Sequence, residues 1–430
     1  MKILFLNPVG TIGGAEMCLL DVLATVGSAR PNWQLSVVLG DDGPLREAVE
    51  ALGFSCALLL LPRGLARMGD SGSRETGSRW SRGGVLAARG SVAALATAAY
   101  LSRLRRLIRA ETPDLIQTNG MKAHVLGAWA APRAVPVVWH LHDYLGSRPV
   151  MARLLRNSAG RRVNAVAVSQ SVAADALRTL GDRASVQTIY NAVDLERFAF
   201  KGEDGAWLDA AAGMPPAAPG TIRVGLVATF AVWKGHHLFL DAIARISDKL
   251  PCRFYIIGGP IYRSRGSQVE RDELEERVNV LGLGGRIGFV GHQADPARAI
   301  GALDVVVHAS TRPEPFGRVI VEGMACGRAV VAIQDGGAAE LFVNEVTALG
   351  CPPRDAESLG QAIRRLVVDP DLRRRLGLAG LESARQRFDR HRLAEQWSRL
   401  YESIGMDQRA EAANALGQAN QARGNERSEA

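Results

Sequence analysis

Short apolar runs rich in branched residues alternate along this chain with longer stretches whose apolar positions recur at helical spacing. Residues 3–7, 34–39, 115–118, 135–140 and 165–169 predict strands, and 17–26 and 100–110 predict helices between them. Alternation of this kind implies parallel sheets with crossover helices. The pattern stops after Phe198. Residues 199–220 are rich in Ala, Gly and Pro and read as a linker with room for a short helical turn. Strands then return at 223–229, 253–258, 286–290, 305–308 and 329–332, with helices at 237–249, 268–281 and 316–324. The chain therefore divides into two consecutive α/β units of similar size, over 1–198 and 221–385. Open sheets bind ligands at the carboxyl ends of their strands, so two such units facing each other make a deep cleft.

Three stretches depart from the alternation. Residues 63–89 hold many Gly, Ser and Arg with little periodicity and read as a mobile basic loop. Residues 405–430 are polar and read as a disordered tail. Residues 147–163 carry Arg148, Arg153, Arg156, Arg161 and Arg162 beside Val150, Met151, Leu154 and Leu155. That stretch reads either as a basic amphipathic helix lying on an anionic membrane or as a solvated helix. Just before the tail, Leu393, Trp397, Leu400 and Ile404 have helical spacing.

Composition narrows the class. A length of 430 residues exceeds one ordinary core. With 47% hydrophobic and 22% charged residues, the balance is that of a soluble globular protein. No apolar run reaches the ~18–20 residues of a membrane helix. The opening MKILFLNPVG is too short an apolar run for a secretory signal and reads as a first buried strand. The five cysteines form no CxxC pair, which suits reduced core thiols in a cytoplasmic protein. The net charge of +8 fits simple solubility, or attraction to phosphate-bearing ligands or an anionic membrane face. The absence of RNA- or DNA-binding motifs and the 6% aromatic content argue against a nucleic-acid partner.

Four segments carry candidate chemistry. Gly10, Gly13 and Gly14 follow the first strand and open a helix, an arrangement that offers backbone N–H groups to an anion or merely makes a tight turn. In VGLVATFAVWKG, residues 224–235, Lys234 lies in the loop after Thr229 and can place its ammonium on a phosphate or in solvent. His140 and His142 end a strand, and alternation is expected to send one to the core and the other to the opposite face. His142, nearer the carboxyl end, is the cleft candidate, with Asp143 either orienting it or capping the next segment. No HExxH, paired-Asp or Cys/His set indicates a metal.

The fourth segment, HASTRPEPFGRVIVEGMACGRAVV, spans 308–331 and places Glu314 and Glu322 with seven residues between them. Pro315 suits a first helical position, and Phe316 and Gly317 supply free amides at the helix start. From Phe316 to Glu322 is roughly 9 Å at about 1.5 Å per residue. That span suits a pyrophosphate at the helix start, a sugar beside Glu314 and a ribose near Glu322. A buried Glu322 needs hydrogen-bond partners, which ribose hydroxyls or an arginine would provide.

Together these segments resemble the family 4 (group 1) retaining glycosyltransferases of GT-B fold. GGAE at 13–16, HLHD at 140–143, VAVSQSVAADAL at 166–177, TIYNAVDLERF at 188–198, WKG at 233–235, PEPFGRVIVEGMACGRAVVA at 313–332 and GGAAELF at 336–342 carry the resemblance across nearly the whole chain. It implies two Rossmann-like, doubly wound domains facing across a cleft, with a helix at 386–404 crossing back to the first. It implies a nucleotide-sugar donor, with Lys234 and amides near Gly13, Gly14, Phe316 and Gly317 on its phosphates, Glu314 on sugar hydroxyls, Glu322 on the ribose and His142 near the reacting face. No cofactor or metal is expected: helix starts and basic side chains stabilise the departing diphosphate, and the anomeric configuration is retained. The acceptor would be a glycan or lipid-linked molecule, at the cytoplasmic side of a membrane. Thr229 departs from the family, which commonly has Arg five residues before the lysine. Arg318, or less directly Arg312, could take that place. A second departure is Asn191-Ala192, where Asn-Gly is usual. Two other readings share the architecture: a nucleotide-sugar epimerase or hydrolase, for which no separate pair of acids is present, and an inactive binding or scaffold subunit.

Overall fold

A computed structural model describes residues 1–67, 83–160, 163–199, 202, 205–260, 267–293 and 295–406. The first unit is built on seven strands: β1 (Lys2–Asn7), β2 (Gln34–Leu39), β3 (Ser55–Leu58), β4 (Leu115–Asn119), β5 (Val137–Leu141), β6 (Val163–Ala167) and β7 (Ser185–Thr188). Its helices are α1 (Gly14–Ala29), α2 (Pro44–Ala51), α3 (Arg63–Arg67), α4 (Gly83–Glu111), α5 (Met121–Ala130), α6 (Pro149–Ser158) and α7 (Gln170–Leu180). All pairings are parallel, in the order β3-β2-β1-β4-β5-β6-β7.

The second unit repeats the plan with α8 (Gly205–Ala211), β8 (Ile222–Val227), α9 (His236–Ile243), β9 (Cys252–Ile257), α10 (Arg271–Val280), β10 (Ile287–Val290), α11 (Pro296–Gly301), β11 (Val305–His308), α12 (Arg318–Ala325), β12 (Ala329–Ile333), β13 (Leu349–Cys351), α13 (Ala356–Val368) and α14 (Pro370–Phe388). Its order is β10-β9-β8-β11-β12-β13. The protein is thus two doubly wound, Rossmann-like domains. Central strands such as Val305–His308 and Ala329–Ile333 are buried throughout, because helices cover both faces. In each sheet the order reverses at one pair, β1/β4 and β8/β11, where ligand crevices form in such folds.

Several expectations need correction. Of the loop expected at 63–89, residues 63–67 and 83–89 are helical, since the Ala-rich run after Gly83 continues straight into the helix expected from Tyr100. The remaining 68–82 lie outside the described residues, as do Arg161, Arg162 and 407–430. The stretch read as a linker contains α8, which buries Leu208 and Asp209. Asp209 accepts from Arg223 at 2.7 Å and from the Tyr255 hydroxyl, which ties this stretch to the second sheet. Helix α6 turns Met151, Leu154 and Leu155 against the core, leaving Val150 exposed with Arg148, Arg153 and Arg156. Three of those four apolar side chains thus pack inward. Among the described residues no helix is long and apolar enough to cross a membrane.

The two units form one packed body. A continuous buried cluster runs from Trp139, Leu155 and Val172 through Phe316 and Phe388 to Ile320 and Met324. After α14 the chain turns at Asp389, and a last helix over 390–406 lies on the first sheet. Its Leu393, Trp397, Leu400, Tyr401 and Ile404 pack with Ile3, Phe5 and Val138.

Candidate functional site

On the second sheet, β8 runs out at Val227 and the chain passes Thr229 into a short turn over Val232–Lys234. Gly235 follows in the left-handed region, φ 76°, so close to the Ala309 carbonyl that any side chain would collide with it. This pins the backbone that carries Lys234. The ammonium meets both carboxylate oxygens of Glu314, at 2.8 and 2.9 Å. Ser310 Oγ donates to the same carboxylate at 2.6 Å, and His308 Nε2 lies 3.5 Å away. Burial would raise the Glu314 pKa, but the Lys234 charge, with His308, outweighs it and holds the group well below the usual carboxylate range.

Helix α12 begins at Arg318, not at Phe316, because Gly317 takes the left-handed N-cap position. Pro315 is therefore outside the helix. The Phe316 ring belongs to the core and stands edge-on to Phe388, 6.0 Å between centroids; only its backbone borders the helix start. Arg318 and Glu322 sit one turn apart, and Arg318 Nε donates to Glu322 at 3.2 Å. The partner of Glu322 within the protein is thus an arginine. Burial pushes the Glu322 pKa up, and Arg318 opposes that rise.

The same guanidinium crosses to the first domain, donating to Asp21 Oδ2 at 2.9 Å and lying 3.5 Å from Cys18 Sγ. Asp21 also receives Arg390 at 2.8 Å. Arg312, the other arginine considered, lies over the Trp233 ring at 5.8 Å.

On the first sheet, α1 starts at Gly14. The Gly13 N–H is already taken by Glu16 Oε2 at 3.0 Å, a capping interaction that removes it from the free amides. Beyond Gly14 there is open space. His142 follows the end of β5. Its ring lies 3.9 Å from that of His140, so the two share a face of the sheet, as residues two apart in a strand must. The expectation of opposite faces is therefore wrong. Burial, and then the Arg318 charge, lower the His142 pKa to about 3, so the imidazole is neutral. Asp143 turns instead to the Tyr144 amide, 3.2 Å, and to Arg148, 3.8 Å.

The structure brings Lys234 and Glu314 into one group and Arg318, Glu322 and His142 into a neighbouring one, with the start of α1 alongside. Sequence reasoning passed over Asp21, His308, Ser310, Tyr144 and Glu340. Asp21 had a signal: it is the one acid in the otherwise apolar stretch MCLLDVLATV. His308 and Ser310 had only their place at a strand end.

Comparison with known proteins follows the same division. The profile of the family described as "Glycosyl transferases group 1" matches residues 216–382, and that of "Glycosyltransferase Family 4" matches 45–197. The lipopolysaccharide core biosynthesis glycosyltransferase LpsE of Rhizobium meliloti is 29% identical over 306 residues, 70% of this chain and 79% of that protein. N-acetyl-alpha-D-glucosaminyl L-malate synthase of Bacillus anthracis is 24% identical over 72% of this chain and 80% of its own length. Among solved structures, Anabaena Alr3699/HepE in complex with UDP-glucose superposes with a TM-score of 0.77 at 28% identity, covering 94% of this chain and all of that one.

Proposed function

This chain belongs to glycosyltransferase family 4, the group 1 glycosyltransferases, and has their GT-B fold; on that premise we propose that it moves a sugar from a nucleoside-diphosphate sugar to a glycan or lipid-linked acceptor, with retention and without a bound metal, in the synthesis of a surface polysaccharide or glycolipid. The observation that carries this reading is the Lys234–Glu314 pair, 2.8 Å, beside the start of α12 at the carboxyl edge of the second sheet. An ammonium next to a helix start is a site for a diphosphate. On donor binding Lys234 exchanges Glu314 for phosphate oxygens, which frees the carboxylate to accept sugar hydroxyls. Arg318 supplies the second positive charge that Thr229 does not, and Glu322 takes the ribose hydroxyls in addition to Arg318. Positive groups fixed in advance around the leaving diphosphate lower the barrier to its departure, and they need no metal to do so. Neutral His142 hydrogen-bonds at the reacting face, while a leaving phosphate oxygen takes the acceptor proton.

A thermal-shift screen with UDP-, GDP- and ADP-sugars and the free diphosphates, with and without EDTA, tests the proposal. One nucleotide series should raise the melting temperature equally in both conditions. No shift with any ligand would reject the donor site, and a shift abolished by EDTA would reject metal independence.

A further inference from the structure

Tyr144 belongs to the first domain, three residues past the end of β5, yet its hydroxyl is built into the loop that carries Glu314. Three partners meet Oη, the full complement of a phenol: one donated and two accepted hydrogen bonds. Oη donates to the Glu314 carbonyl at 3.3 Å and accepts from the Gly337 N–H at 3.2 Å. Ser171 Oγ completes the set at 3.0 Å. Gly337 N also donates to the Glu314 carbonyl at 2.7 Å, and Glu314 pairs with Gly336 in a one-residue bridge. The main chain of Glu314 is therefore fixed from its own domain by the Gly336–Gly337 turn and from the other domain by Tyr144. The approach is tight: a methyl group at Gly336 would collide with the phenol oxygen, and one at Gly337 would lie 2.6 Å from Ser169 Oγ.

A second contact holds the same two surfaces together. Glu340, in the turn after Gly337, accepts from the backbone N–H groups of Gln170 and Ser171 at 2.9 and 2.7 Å, and from Tyr190 Oη at 2.8 Å. An acid from the second domain thus caps the start of α7 in the first, beside the serine that Tyr144 binds. Tyr144, Ser171, Glu340 and Gly337 close a ring across the domain boundary, and Glu314 hangs from one corner.

We infer that Tyr144 is a positioning residue for recognition of the donor sugar: its hydroxyl sets the backbone of Glu314, so that the carboxylate is aimed only when the first domain is docked. This rests on the reading of Glu314 as the sugar-binding carboxylate. It separates two parts of the donor. The nucleotide is held by second-domain groups that Tyr144 does not touch, whereas the sugar depends on Glu314.

Calorimetric titration of the full-length chain with UDP-glucose and with UDP tests the separation. Tyr144→Phe removes one oxygen and keeps the ring. It should weaken UDP-glucose about fivefold, the worth of the one hydrogen bond among the three that reaches Glu314, and leave UDP unchanged. Glu340→Gln loosens the docking of the same two surfaces and should weaken UDP-glucose in the same direction while leaving UDP unchanged. Glu314→Gln should lose the preference for UDP-glucose over UDP by itself. Equal weakening of both ligands in Tyr144→Phe, or no change in either, would overturn the inference, as would a Glu340→Gln variant that weakens UDP as much as UDP-glucose. A Glu314→Gln variant with the wild-type ratio would instead reject the sugar role of Glu314, and a wild-type protein that binds none of the UDP-, GDP- and ADP-sugars of the screen would remove both.

Discussion

At the carboxyl edge of the second sheet the charged side chains of the site stand against opposite charges: Lys234 against Glu314, and Arg318 against Glu322 and Asp21. At the same edge of the first sheet the central strands end in neutral polar groups. Asn119 of β4 lies level with His140 of β5, and Asn7 of β1 follows Leu6, which pairs with Thr118. These three form one polar row across adjacent strands, each at most 2% exposed. Both amide atoms of Asn119, both ring nitrogens of His140 and Asn7 Oδ1 have no hydrogen-bond partner among the described residues. The contrast separates two ways of preparing a site. Ion pairs hold charges cheaply until a charged ligand replaces one member. Neutral amides and imidazoles both donate and accept, which matches a hydroxyl-bearing molecule and repels neither sign of charge.

The largest expected effect follows from the charged edge. Lys234→Ala and Glu322→Ala should each reduce sugar transfer by at least ~10², as loss of a fixed charge contact at a leaving group can. Steady-state turnover with the donor found in the screen measures it. Near-wild-type rates in both variants would mean that the paired charges only stabilise the fold, and the contrast between the edges would lose its functional sense.

The charged edge was also the legible one. Glu314, Lys234 and the helix start were visible because loop chemistry, glycine and proline crowd into short segments there. Their partners were not, since pairing depends on contacts between residues far apart in sequence: Arg318 reaches back to Asp21, and Tyr144 reaches forward to Glu314. The fold shows a similar split. Inner strands of the first sheet that contain apolar runs, such as ILFL in β1 and VVW in β5, were read directly. The missed strands β3 and β7 are its two edges, where alternate residues are exposed and SCAL or SVQT carries little signal. Strand β13, of three residues, is the outermost of the second sheet. The boundary of α12 failed by two residues because Gly317, not Pro315, sets it.

A smaller effect separates the edges by acidity. Burial first, and neighbouring charge after it, lower the pKa of His124 and His142 to about 3 and that of His140 well below its usual value. Unfolded histidines bind protons near pH 6.5, so below that pH the unfolded chain holds protons that the folded one refuses. Stability should therefore be level above about pH 7 and fall as pH drops from ~6.5 towards 3. Each histidine contributes up to ~1.4 kcal/mol per pH unit across that window. Urea unfolding at pH 7, 6 and 5 reads the slope, and His142→Asn should remove about one proton from it. A stability unchanged between pH 7 and 5 would show that these imidazoles are not held neutral.

The smallest effect tests the neutral row alone. A buried amide with neither atom bonded costs about 1–3 kcal/mol, and leucine has nearly the same shape without the polar atoms. Asn119→Leu should therefore raise stability by about 1 kcal/mol while leaving UDP-glucose affinity as it is, because the proposed donor groups lie on the second edge. Groups kept at a cost to stability are those a fold retains for its ligand. If the variant is instead less stable, ordered water already satisfies Asn119, and the row is part of the first domain's framework. If it loses UDP-glucose binding, the two edges are not separate, and the division into a charged edge and a neutral edge falls.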